Sequence, residues 1–173
     1  NQEAYKLALN YVKKFREMKE KNQGLLLYGP VGTGKSFTAA CIANALMEQN
    51  ITVIMTSFVK ILQDIGTGDE ASYIQILNSA SLLIIDDLGA ERNTDYALEK
   101  VYNVIDSRIR TDKPMILTTN LELSEMLQTT DIRYRRVYDR IFETCYPVEM
   151  PGKSFRQIEA APVSYTHLTL PTT

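Results

Sequence analysis

The stretch LLLYGPVGTGKSF, residues 25–37, limits the folds open to this chain more than any other part of it. Residues 25–28 are apolar throughout, the composition of a short strand buried on both faces. Residues 29–36 then fit the spacing G-x-x-x-x-G-K-[ST] in full, and a helical pattern runs from about Lys35 to Glu48. Glycines at 29, 32 and 34 let the backbone curl until several N–H groups point inward. The helix that follows adds the positive end of its dipole. Such a turn suits phosphate oxygens. Lys35 is placed to reach β- and γ-phosphates, and Ser36 to offer a hydroxyl to Mg²⁺. The candidate binding residues are Gly29, Pro30, Val31, Gly32, Thr33, Gly34, Lys35, Ser36 and Phe37. A glycine-rich turn that merely joins strand to helix is the alternative, and the full match in this context weighs against it.

The rest of the chain repeats the same alternation. Ala4, Leu7, Ala8, Tyr11, Val12 and Phe15 lie at helical spacing and predict one helix over residues 3–19. Strands are expected at 51–56, 82–87, 114–120 and 146–150. Helices are expected from Ser57, a capping residue, to Asp64, then over 70–79, 95–110, near Ser124, and over 132–143. Residues 65–70, IGTGDE, read as a loop, and a last short helix is expected from GKSFRQIEA. Apolar strands alternating with helices imply parallel βαβ units and an α/β fold: a five-stranded parallel sheet with helices on both faces.

LLIIDD carries Asp86 and Asp87 to the carboxyl end of a buried strand, the edge where parallel sheets bind ligands. Asp86 is placed to help hold Mg²⁺, and Asp87 to orient or deprotonate an attacking water. A helix cap or solvated turn explains one aspartate more easily than two. Asn120 closes ILTTN, where its amide would sit between the Asp86 strand and the phosphate loop. Alone, it is as well explained as the start of a turn.

IRYRRVYDR packs four arginines into residues 132–140 of a chain with formal net charge −2. On a helix, Arg133, Arg136 and Arg140 fall within roughly 60° of one another. Arg135 points away and can pair with Asp139 at i+4. A guanidinium stripe suits phosphate, whether of a nucleotide or of DNA; a solvated basic face is the plainer explanation.

LLIIDDLGAER, ILTTN, RVYDRI and GKSFR, in that order, resemble the DnaC/IstB group of AAA+ P-loop ATPases, and the likeness runs over roughly residues 1–160. The resemblance implies ATP and Mg²⁺ as ligands and ATP hydrolysis as the reaction. It implies an active site shared between self-associating subunits, a cytoplasmic setting, and loading of a replicative DNA helicase onto single-stranded DNA. By residue, it implies catalytic roles for Lys35, Asp86 and Asp87, a sensor role for Asn120, and an arginine finger at Arg140. Arg136 is the alternative finger or a DNA contact, and Arg156 matches the arginine that contacts nucleotide in its own subunit. Asp87 stands where many AAA+ proteins carry glutamate, and the carboxyl-terminal lid is much reduced. Two short helices within 57–80 resemble a DNA-channel insertion or are plain covering helices, and Lys60 is the one cation there. Rival functions are a transposase helper of the IstB type, a small-molecule kinase, or a nucleotide-binding scaffold. The kinase would need a substrate pocket and lid that no motif announces.

Composition narrows the rest. At 45% hydrophobic and 23% charged residues, the chain is ordinary for a globular protein. No apolar run approaches the roughly 20 residues that span a bilayer, so no membrane partner is expected. The near-neutral balance argues against wrapping DNA through bulk charge. Cys41 and Cys145 have no metal-ligand spacing and are expected to be reduced, buried thiols. The native ATPase domain is expected over residues 1–161, with a partner-binding region missing upstream. Residues 162–173 resemble a translated sequencing adapter, so His167 is not a candidate base.

Overall fold

The computed structural model of the chain describes residues 2–89 and 94–154. In chain order the elements are α1 (Gln2–Lys13), α2 (Phe15–Glu20), β1 (Gly24–Tyr28), α3 (Lys35–Met47), β2 (Val53–Ser57), α4 (Phe58–Thr67), α5 (Glu70–Ser79), β3 (Leu82–Leu88), α6 (Asp95–Arg110), β4 (Met115–Thr119), α7 (Leu123–Gln128), α8 (Ile132–Thr144) and β5 (Cys145–Glu149). The five strands form one sheet in the order β2-β3-β4-β1-β5, and every adjacent pair is parallel.

Strand alternation divides the core in two. Leu25, Leu27, Leu82, Ile84 and Ile116 face α1, α2 and α3, meeting Ala8, Tyr11, Phe15, Ile42 and Leu46. Leu26, Leu83, Ile85, Met115 and Leu117 face the other way, meeting Phe58 and Ile61 of α4, Leu77 of α5, Val101 and Ile105 of α6, and Val137 and Ile141 of α8. Successive residues of one strand are thus buried on opposite faces, which is why these strands are continuously apolar.

Several expectations shift. The single helix over 3–19 is divided at Lys14, where φ −100° and ψ 13° interrupt the helix between Tyr11 and Phe15. Both rings are buried, in an edge contact at 6.0 Å. Residues 65–67, expected in a loop, continue α4, because Ile65 extends its buried face. Ser57 and Asp69 cap α4 and α5 with side-chain bonds to the backbone N–H groups of Lys60 and Ser72. β2 begins at Val53, and β4 ends at Thr119, one residue before Asn120. α4 and α5 cover the sheet through Phe58, Ile61, Ile65 and Leu77. Lys60 of α4 pairs with Asp64 at 2.6 Å. The expected last helix, Arg156 and the suspected adapter tail lie outside the described residues. Among the described residues no helix is long and apolar enough to cross a membrane.

Candidate nucleotide-binding site

The loop after β1 has the curl that its glycines require. Gly29, Gly32 and Gly34 hold φ of 134°, 80° and 92°, all in the left-handed range. A Cβ at Gly29 would lie 2.8 Å from the backbone oxygen of Met150, so that glycine is needed for space as well. Lys35 is buried, and its Nζ donates to the carbonyls of Gly29 at 2.7 Å and Pro30 at 2.6 Å. Burial pushes its pKa down, while Asp87, Asp86 and Glu122 oppose that shift. Thr33, also buried, donates to the Pro30 carbonyl at 3.0 Å. The loop is therefore already folded around the lysine, with Ser36 and Phe37 exposed at its mouth.

The acidic strand end meets this loop. Ser36 Oγ donates to Asp86 Oδ1 at 2.8 Å, joining residues from α3 and β3. A hydroxyl and a carboxyl oxygen this close are the hard ligands that suit Mg²⁺. Among the described residues no three His, Cys, Asp or Glu side chains cluster as an all-protein metal site. The β3–β4 ladder shifts register between Ile85 and Leu88, and Asp87 takes φ 57° within that bulge. Thr118 of β4 faces the bulge. Its hydroxyl donates to Asp86 Oδ1 at 2.5 Å and accepts from the Asp87 N–H at 3.0 Å.

A cleft of about 660 Å³ opens over the loop, lined by Val31 to Thr38, Cys41, Asp87, Asn120 and Met150, with Ala4, Tyr5 and Ala8 of α1. The strand order puts β4 between β3 and β1, and so Asn120 beside both the acidic strand end and the phosphate loop. The α1 residues and Thr118 were not foreseen. Ala4 and Ala8 give only a helical period, Tyr5 falls outside that period, and Thr118 gives only an ordinary strand residue.

The arginines of α8 lie elsewhere. Arg140 pairs with Asp106 of α6 at 2.6 Å and with Glu143 at 2.9 Å, and does not line the cleft. A hydrogen bond with Tyr102, and then these acidic neighbours, push its pKa up. Arg133 pairs with Asp95 and Asp131, and Arg136 lines a smaller groove of about 230 Å³ between α6 and α8. Arg135 departs from expectation: it donates to the Thr129 carbonyl at 3.1 Å and forms no pair with Asp139. That carbonyl lies just past the C-terminus of α7, where backbone acceptors lack helical partners. The cysteine expectation is corrected as well. Cys145 is buried, but Cys41 is exposed on α3 at the cleft. The helix turns Ala39, Ile42 and Ala43 inward and leaves position 41 outside.

A parallel sheet with a phosphate loop after β1, an acidic end on β3 and a polar residue after the intervening β4 defines an AAA+ P-loop ATP-binding domain. The chain belongs to the family of IstB-like ATP binding proteins, which matches residues 7–161. It is similar to the replicative helicase loader DnaI of Bacillus subtilis, 26% identical over 85% of this chain and 51% of that protein. It is similar to the replicative helicase loader DnaC of Escherichia coli, 27% identical over 77% of this chain and 57% of the relative. An insertion-sequence protein of Mycobacterium tuberculosis described as ATP-binding is 27% identical over 79% of this chain and 57% of its own. The chain thus spans little more than half the length of these relatives. Among solved structures, that of DnaI superposes with TM-score 0.71 at 24% identity, covering 88% of this chain and 82% of the other. That of the DnaC helicase loader gives 0.68 at 23%, covering 87% and 89%.

Proposed function

We propose that this protein hydrolyses ATP as a switch shared between subunits and loads a replicative DNA helicase onto single-stranded DNA. The observation that carries the hydrolytic reading is the Ser36–Asp86 bond of 2.8 Å, which brings the acidic strand end to the mouth of the phosphate loop. Lys35 supplies the buried cation for the β- and γ-phosphates. Ser36 and Asp86 would hold Mg²⁺, which when bound neutralises charge developing on the phosphate oxygens. Asp87 orients the attacking water and accepts its proton, and Asn120 positions that water from the neighbouring strand. Arg140 lies off the cleft of its own subunit and acts as the finger for the next one. Arg156 contacts the nucleotide of its own subunit. The likeness to DnaI and DnaC supports the helicase and single-stranded DNA as partners, and a cytoplasmic setting. Transposase assistance is the second reading, favoured by the insertion-sequence relative.

The test is ATP turnover per subunit against protein concentration, with and without single-stranded DNA, on protein ending at Ala161. Turnover climbs with concentration, and Arg140→Ala lowers the plateau by about 10³-fold while ATP still binds. Flat turnover, indifferent to DNA and to Arg140, sinks the shared site. ATP-dependent retention of a helicase on single-stranded DNA, measured on the full-length protein, separates the loader from the transposase helper.

A further inference from the structure

We propose that Thr118 is a positioning residue of the hydrolytic site, holding both acidic residues in place through one hydroxyl. The inference rests on the reading of Ser36 and Asp86 as Mg²⁺ ligands. Thr118 is wholly buried, on β4, the strand between the acidic strand and the phosphate-loop strand. A threonine hydroxyl has one proton to give and lone pairs to receive. The proton goes to Asp86 Oδ1 at 2.5 Å, and a lone pair takes the Asp87 N–H at 3.0 Å. Asp86 Oδ1 also receives the Ser36 hydroxyl, so one carboxylate oxygen is fixed from two directions. Asp87 sits at φ 57° in a register shift, a conformation that is strained for a non-glycine residue and persists only when its surroundings hold it.

The adjacent Thr119 is the internal contrast. It is equally buried, but it donates to the Leu88 carbonyl at 2.7 Å and accepts from the Leu121 N–H at 3.1 Å, bonds that tie backbone to backbone. Thr118 alone of the pair bonds to an acidic side chain. Without its hydroxyl the bulge loses its anchor and Asp86 keeps only the bond from exposed Ser36.

The experiment measures nucleotide affinity by calorimetry in EDTA and in Mg²⁺, together with ATP turnover and thermal unfolding. Thr118→Val keeps the shape and removes the hydroxyl; Thr118→Ser keeps the hydroxyl. Thr118→Val should bind nucleotide in EDTA as the parent does. It should lose about tenfold of the affinity gained from Mg²⁺, and about 10- to 100-fold in turnover, the range for residues that orient metal ligands. Thr118→Ser should restore both. If Thr118→Val fails to fold, Thr118→Ala is read in the same way. A full Mg²⁺ gain in the hydroxyl-less variant, or a Thr118→Ser protein as impaired as Thr118→Val, overturns the role. If the parent itself gains nothing from Mg²⁺, the metal reading of Ser36 and Asp86 falls and the role of Thr118 with it, an outcome visible before any variant is made.

Discussion

Cys145 is buried at the start of β5, close to Thr144 and the Met115 carbonyl, whereas Cys41 faces the cleft from the exposed side of α3. Burial pushes the Cys145 thiol up from an ordinary 9.0 to about 12, and a protonated thiol is a poor nucleophile. A thiol-alkylating reagent should therefore modify Cys41 in the native protein and reach Cys145 only on unfolding. Saturating ATP should slow the reaction at Cys41, because the bound nucleotide occupies the cleft that this residue lines. Peptide mapping after timed alkylation checks both. Equal labelling of the two cysteines, or no protection at Cys41, would contradict the cleft as drawn.

Arg108 is the largest wholly buried side chain of α6, and among the described residues no carboxylate pairs with it. Its guanidinium donates instead to backbone carbonyls: Ala80 at 3.0 Å, Ser81 at 3.3 Å and Pro114 at 2.8 Å. These carbonyls belong to the turns that lead into β3 and β4, so one side chain clamps the entrances of the two strands that carry Asp86 and Thr118. Burial pulls its pKa down to about 10, which leaves it charged at neutral pH. Arg108→Met keeps the bulk and leaves those carbonyls without a donor. The loss should be about 2 kcal/mol of stability, read as a lower urea midpoint with unchanged slope. Sequence periodicity marks position 108 only as a charge on a helix, since its acceptors come from segments remote in the chain.

Alkaline stability depends on the protein as one folding unit. Cys145 and Tyr73 are raised by burial, each to about 12, from ordinary values of 9.0 and 10.0; Tyr73 is also held up by its bond to Asp64. Both groups keep their protons in the folded state where the unfolded chain has lost them. The native state then binds more protons than the unfolded state, so stability falls as pH rises. The contribution is complete below about pH 9 and is lost progressively between about 9 and 12. Denaturant midpoints measured from pH 7 to pH 11 should be level at first and then decline. Cys145→Ala should remove part of that decline, and an unchanged slope in the variant would assign it to other groups.

Much of this protein is written in short, contiguous patterns. The phosphate loop could be located because its curl depends on Gly29, Gly32 and Gly34, and its charge on Lys35, all within one turn of chain. The buried strands declared themselves by having no polar face, and α6 by its apolar period over residues 95–110. Other features depended on strand pairing and helix packing, which bring distant residues together. The bulge that turns Asp87 into the left-handed range exists because β3 and β4 change register, and Thr118 becomes its anchor for the same reason. α1 supplies Ala4, Tyr5 and Ala8 to the cleft because it packs on α3. Arg140 is held to Asp106 because α6 and α8 lie side by side. Backbone conformation over a few residues follows from local sterics and capping; contacts between remote residues follow from how whole apolar faces close on the sheet.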